Sequence, residues 1–182
     1  DLPAGINILD DTGGPGIDEG RAMAQLIYDA APGVDLAFHT AFGGQANFAQ
    51  GIFDLAAAGA DVIVDDVIYF AEPMFSDGII AQAADAVAAT GIPYFSSAGN
   101  AARQSYEAPF RNSGQTVDVG FGPQTAHDFD PGTGIDIWQS FNFNGSGVTF
   151  NFQWDDPFFS ATGGLASADT DLDICVSTTP NT

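Results

Sequence analysis

Over the first hundred residues, short unbroken apolar runs alternate with longer stretches whose apolar positions recur every three or four residues. The runs GINIL (5–9), VDLAFHTA (34–41), ADVIVDDVIYF (60–70) and IPYFSSAGN (92–100) read as strands. EGRAMAQLIYDA (19–30), ANFAQGIFDLAAAG (46–59) and SDGIIAQAADAVAATG (76–91) have helical spacing. Pro32-Gly33 stops the first helix, and Gly59 and Gly91 close the other two. Ser76 is the expected N-cap of the third. This strand–helix alternation predicts a doubly wound parallel sheet with helices on both faces, spanning residues 1–112. Within it, residues 60–68 and 92–97 should be neighbouring parallel strands.

Near residue 112 the pattern changes. TVDVGF (116–121), IDIWQSFNFN (135–144), GVTFNFQWDD (147–156) and DLDICVS (171–177) alternate polar and apolar residues between Gly, Pro and Asn turns. Residues 113–182 are therefore expected to form an antiparallel β-sandwich or jelly-roll segment, incomplete by itself, with Trp154, Phe158 and Phe159 in its core.

Charge narrows the list of partners. Three Arg and no Lys stand against 24 acids, a formal net charge of -21. Such a chain repels nucleic acid and anionic membrane, which removes both as partners. No apolar run is long enough to span a membrane. An acid-rich, Lys-free composition suits a secreted protein, and the start at Asp1-Leu2-Pro3 suggests a processed or partial product. The single cysteine, Cys175, cannot form an internal disulfide and reads as a small buried hydrophobe.

Several positions break the pattern. Asp65 and Asp66 interrupt a run that a central parallel strand would keep apolar, so at least one must reach a cleft, a cation or a turn. Asp18 and Glu19 open a helix, where an anion is favoured by the macrodipole. His39, at the end of a strand, reads as a rim or core residue, and His127 as a turn residue. Asp169, Asp171 and Asp173 alternate along one short stretch and are weak calcium ligands at most, since their spacing is not that of an EF-hand loop.

Three segments in order resemble the subtilisin-like serine peptidases and the related sedolisins. SSAGN (96–100) is similar to the oxyanion-hole segment, with Asn100 at the amide donor's position. GADVIVDDVIYF resembles the central strand under the substrate cleft, with Asp66 where the family has a small Ser. EGRAMAQLIYDAAPGVDL resembles the catalytic-histidine helix, matching at Gly20, Ala24, Ala31, Pro32 and Leu36. Glu19 occupies the histidine's place, as a Glu does in sedolisins, whereas Met23 stands where sedolisins carry a second acid. Asp11-Thr12-Gly13 is similar to the family's catalytic-Asp pattern but lies only a short way before Glu19. No Gly-Thr-Ser-x-Ala segment, the family's serine motif, occurs in these 182 residues.

The resemblance implies a secreted endopeptidase acting on polypeptides. Glu19 would be general base, Asp66 its neighbour and Asn100 oxyanion donor, with the serine supplied by a further segment of the same precursor. A carboxylate can replace imidazole as base when a second acid lies close by. The alternative is a non-catalytic extracellular structural or adhesive subunit that reuses the peptidase fold and self-assembles through open β edges.

Overall fold

The computed structural model describes residues 1–182 except 1, 4, 13–15, 121, 143 and 179–182. Gly13 of the Asp-Thr-Gly segment and the Phe residues at 121 and 143 of two expected strands lie outside the described residues. The chain divides into two compact units, residues 1–100 with 153–170, and residues 101–152 with 171–182.

The first unit has the element order read from the sequence. Strand β1 (Asn7–Asp10) precedes helix α1 (Glu19–Ala30), β2 (Ala37–His39), α2 (Gln45–Ala57), β3 (Ile63–Asp65), α3 (Ile79–Ala88) and β4 (Tyr94–Ser96). Strands β3 and β4 are parallel neighbours, with Ile63 opposite Tyr94, Val64 opposite Phe95 and Asp65 opposite Ser96. This is the pairing expected for 60–68 and 92–97.

The doubly wound sheet, however, does not form. The four strands make two separate parallel pairs, β1 with β2 and β3 with β4. A reason lies at the strand ends. Asp10 accepts the Thr12 N–H at 2.9 Å, Thr40 Oγ1 that of Phe42 at 3.3 Å, and Asp65 that of Val67 at 3.2 Å. Each side chain takes a backbone donor two residues on, an Asx- or ST-turn that competes with continuing a ladder. Strands expected to run eight or eleven residues therefore stop after three.

Helices α2 and α3 cover one face of the β3–β4 pair. Among the described residues, Ala49 and Ile52 from α2, Ile63 from β3 and Ala83 and Val87 from α3 are the buried apolar side chains, with Leu55, Ile80 and Tyr94 packed against them. Helix α2 closes in a Schellman turn: Ala60 N–H bonds Leu55 O, Gly59 N–H bonds Ala56 O, and Gly59 adopts φ +92°. Helix α3 is shorter than expected, starting after Gly78 instead of Ser76. Glu72, not Ser76, satisfies its opening amides, accepting from Ile80 N at 3.0 Å and Ala81 N at 3.4 Å.

The β3–β4 face opposite the helices is only partly covered. Val64 and Phe95 are register partners and so project together, 44% and 58% exposed. A parallel sheet is normally covered on both faces.

The second unit is built on one antiparallel pair, β5 (Asn112–Asp118) and β6 (Pro123–His127), with a register shift between Asn112 and Thr116. It is not a sandwich. Among the described residues, 135–144, 147–156 and 171–177 form no ladder. Here too short side chains hold the backbone in turns, Asp128 accepting from Asp130 N, Asp130 from Gly132 N and Asp136 from Trp138 N. His127 ends a strand instead of sitting in a turn. Cys175 is exposed, not buried, and Phe159, in the first unit, is 65% exposed.

Candidate functional site

A cavity of about 590 Å³ lies in the first unit, lined by residues of α1, β2, α2, β3 and their connections. Its wall is largely apolar, with Ile27 and Met23 from α1, Phe38 from β2, and Phe48, Ile52 and Leu55 from α2. Gly20 lets α1 approach β2, because a Cβ there would fall 2.7 Å from the Phe38 ring. Asp11, Asp18, Glu19, His39, Asp65 and Asp66 also line it.

Glu19 and Asp66, far apart in sequence, thus share one cavity. Glu19 is the first residue of α1, and Asp66 follows directly on the last residue of β3; both are exposed. Asn100, the expected oxyanion donor, follows β4 in the same unit, is exposed, and is not among the lining residues. Asp18 does not cap α1 with its side chain. It pairs with Arg21, which donates from Nε at 2.7 Å, and that pairing draws the Asp18 carboxyl below its ordinary range.

Asp65 plays a different part from Asp66. It accepts from the Tyr94 hydroxyl at 2.5 Å, from Ser96 Oγ at 2.9 Å and from Val67 N. Three donors satisfy this half-buried carboxylate without any cation. Burial, and then the adjacent Asp65 carboxylate, push the Tyr94 phenol far above its ordinary value.

Sequence reasoning set His39 aside as rim or core, and the structure places it at the cavity beside Asp10. Its side chain is only 5% exposed. Nδ1 lies 2.9 Å from the Thr40 carbonyl, which can only accept, so Nδ1 carries a proton. Nε2 faces Asp10 Oδ2 at 4.0 Å. Asp10 also receives hydrogen bonds from the Thr12 hydroxyl, the Thr12 amide and, at 3.3 Å, Asn47 Nδ2; the Thr12 bonds chiefly hold its carboxyl below the ordinary range. Gly51 in α2 makes this possible, since a Cβ there would stand 2.5 Å from His39 Nδ1. A helix-interior glycine two residues after the buried Ala49 was the signal available in the sequence.

Among the described residues no three His, Cys, Asp or Glu side chains are grouped to hold a metal ion. The Asp169 and Thr170 amides turn toward the Asp156 carboxylate, at 3.2 and 2.7 Å. No described helix is long and apolar enough to cross a membrane. No family model, curated protein or solved structure matches the chain.

Proposed function

We propose that this chain is the acid-bearing part of a secreted serine endopeptidase of the subtilase–sedolisin kind, acting on polypeptides. The observation that carries the reading is that Glu19 and Asp66 line one cavity. In this mechanism a serine from a further segment of the precursor attacks the scissile carbonyl. Glu19 takes the hydroxyl proton and Asp66 holds negative charge nearby; the resemblance gives the oxyanion to the Asn100 amide, which is not among the residues lining that cavity. Because the serine motif is absent from residues 1–182, these residues alone should not hydrolyse peptides.

The test is casein hydrolysis by the protein as its source secretes it, with every segment it then carries. Glu19→Gln should lower kcat by at least about a hundredfold, the usual contribution of a general base. Undiminished turnover in that variant, or absence of a serine that a fluorophosphonate labels, rejects the peptidase reading.

The partly exposed β3–β4 face favours a second reading, a non-catalytic subunit that assembles through its open sheets. Val64 and Phe95 would be covered in the assembly. Sedimentation over a range of concentrations separates the two. Association abolished by Val64→Lys, with no hydrolysis by the secreted form, supports the structural subunit.

A further inference from the structure

Three Arg and no Lys leave this chain three bonds that a peptidase selective for a basic side chain could cut, after Arg21, Arg103 and Arg111. A peptidase acts on backbone that opens locally, so the rate at each bond follows the ease of that opening. Arg21 lies in the first turn of helix α1 and pairs with Asp18. Arg111 leads directly into β5 and is held there. Its amide donates to His127 Nδ1 at 3.0 Å, and its guanidinium donates to the Asp128 carbonyl from Nε at 3.0 Å and Nη2 at 2.8 Å. Its carbonyl accepts the Asp128 amide at 2.8 Å. Arg103 differs from both. Residues 101–107 are all exposed and belong to no helix or strand. Among the described residues, no hydrogen bond or ion pair engages the Arg103 side chain. Ala102 beside it is the one described non-glycine residue at positive φ, +48°, a conformation that an L residue holds at a cost. The turn is closed by the Gln104 N–H bonding the Ala101 carbonyl at 2.8 Å. Opening it gives up that bond and relieves the strained residue. Charge sets the position apart as well. Residues 86–106 contain no acid, in a chain with 24 of them. Nothing in the local sequence therefore repels the carboxylate with which a trypsin-like pocket holds a basic side chain, whereas Asp18 and Glu19 crowd Arg21.

We propose that the Arg103–Gln104 bond is a processing site for a peptidase of trypsin-like specificity, and that its cleavage yields a two-chain form. The step is hydrolysis, with nothing oxidised or reduced. The C–N bond breaks, and the carbonyl carbon gains the water oxygen to become the Arg103 carboxylate. The two water protons turn the Gln104 amide into an α-ammonium. The site lies where the chain passes from the first compact unit into the second, and the later segment 153–170 returns to the first. There Gln153 accepts from Met74 N at 2.9 Å and donates to the Phe70 and Glu72 carbonyls at 3.1 and 3.0 Å. Gln82 Nε2 reaches the Ala161 carbonyl at 3.3 Å. The pieces 1–103 and 104–182 therefore stay together after the cut. The processing site stands under either reading of function, peptidase or structural subunit.

Two measurements test it. The first treats the native chain with trypsin at neutral pH and follows the intact mass over time. Arg103–Gln104 should be cut at least about tenfold faster than Arg21–Ala22 or Arg111–Asn112. The two pieces should co-elute in size-exclusion chromatography and part only in urea. Arg103→Gln, an exposed change, should leave the native chain uncut over the same interval, whereas Arg21→Gln should be cut like the parent. The second measurement sequences the N-termini of the protein as isolated from its source, where a terminus beginning Gln104-Ser105-Tyr106 is expected. A first cut after Arg21 or Arg111, pieces that separate without denaturant, or a natural protein with no terminus at Gln104 overturns the proposal.

Discussion

Tyr94 donates its hydroxyl to Asp65 at 2.5 Å, across two strands whose register sets the Asp beside Ser96. The bond ties the sheet pair that carries the buried apolar core of the described residues. Tyr94→Phe removes one of three donors to a half-buried carboxylate. The expected cost is about 1.5–3 kcal/mol, the range for a hydrogen bond to a charged group, read as a lower urea midpoint at unchanged slope. The phenol's raised pKa adds a sign. A group whose folded value lies above its unfolded value of 10 stabilises fully below pH 10 and loses that contribution as pH rises above it. The parent should therefore lose stability above pH 10 faster than Tyr94→Phe does. Parallel alkaline curves for the two proteins contradict the assignment.

His127 makes the opposite kind of prediction in the second unit. Its Nδ1 accepts the Arg111 amide at 3.0 Å, its Nε2 meets the Tyr106 hydroxyl at 2.9 Å, and Phe129 stands edge-on 4.7 Å away. Burial, and secondarily the Arg111 charge, lower its pKa from 6.5, against a smaller raising effect of Asp128. A proton on Nδ1 would also face the Arg111 N–H. A histidine depressed in the folded state contributes fully above its unfolded pKa and less as pH falls through the folded one. Stability of this unit should drop as pH falls below 6.5, and the drop should be smaller in His127→Gln. Tryptophan or tyrosine fluorescence during urea unfolding at stepped pH reads it, and an unchanged acid limb in the variant contradicts it.

Glu72 tests a capping interaction invisible to local motifs. It lies outside helix α3, seven residues before Ile79, yet its Oε1 takes two opening amides of that helix. Glu72→Ala should cost roughly 1 kcal/mol, as loss of a helix cap does. Glu72→Gln, which keeps an acceptor oxygen, should retain most of that. If Ser76→Ala proves costlier than Glu72→Ala, the cap lies where the sequence pattern first put it.

These residues also show which features sequence carries. The three helices were legible because their apolar spacing and closing glycines are local; α1 spans the expected 19–30, and Gly59 closes α2. The β3–β4 pairing was legible because a helix must return the chain to a parallel neighbour. The extent of the strands was not. Asp dominates the acids, with Glu only at 19, 72 and 107. The reason is visible at Asp10, Asp65, Asp118, Asp128, Asp130 and Asp136, each accepting an amide two residues on. The shorter side chain makes that turn, and each one competes with a ladder that alternation alone predicts. Glu19 and Asp66 line one cavity, whereas Asn100, expected with them, does not. Nothing local could join His39 to Asp10 or Asn47 to Asp10, which are 29 and 37 positions apart.

The last prediction isolates that non-local contact. In an ordinary helix interior, Gly→Ala stabilises by roughly 0.5–1 kcal/mol through backbone entropy. At Gly51 the new Cβ would sit 2.5 Å from His39 Nδ1 and 2.7 Å from Cε1 and Cγ. The ring cannot easily yield, since it is 95% buried and held at the Thr40 carbonyl. Overpacking of this kind costs about 1–3 kcal/mol, so the clash should outweigh the propensity gain and Gly51→Ala should be destabilised by about 1–2 kcal/mol net. Removing the ring should reverse the sign. In a His39→Ala background the same Gly51→Ala change meets open space, and only the helix gain remains. The double-mutant cycle should therefore show a coupling of at least about 1 kcal/mol. Additive single effects would mean that His39 does not occupy the space above Gly51.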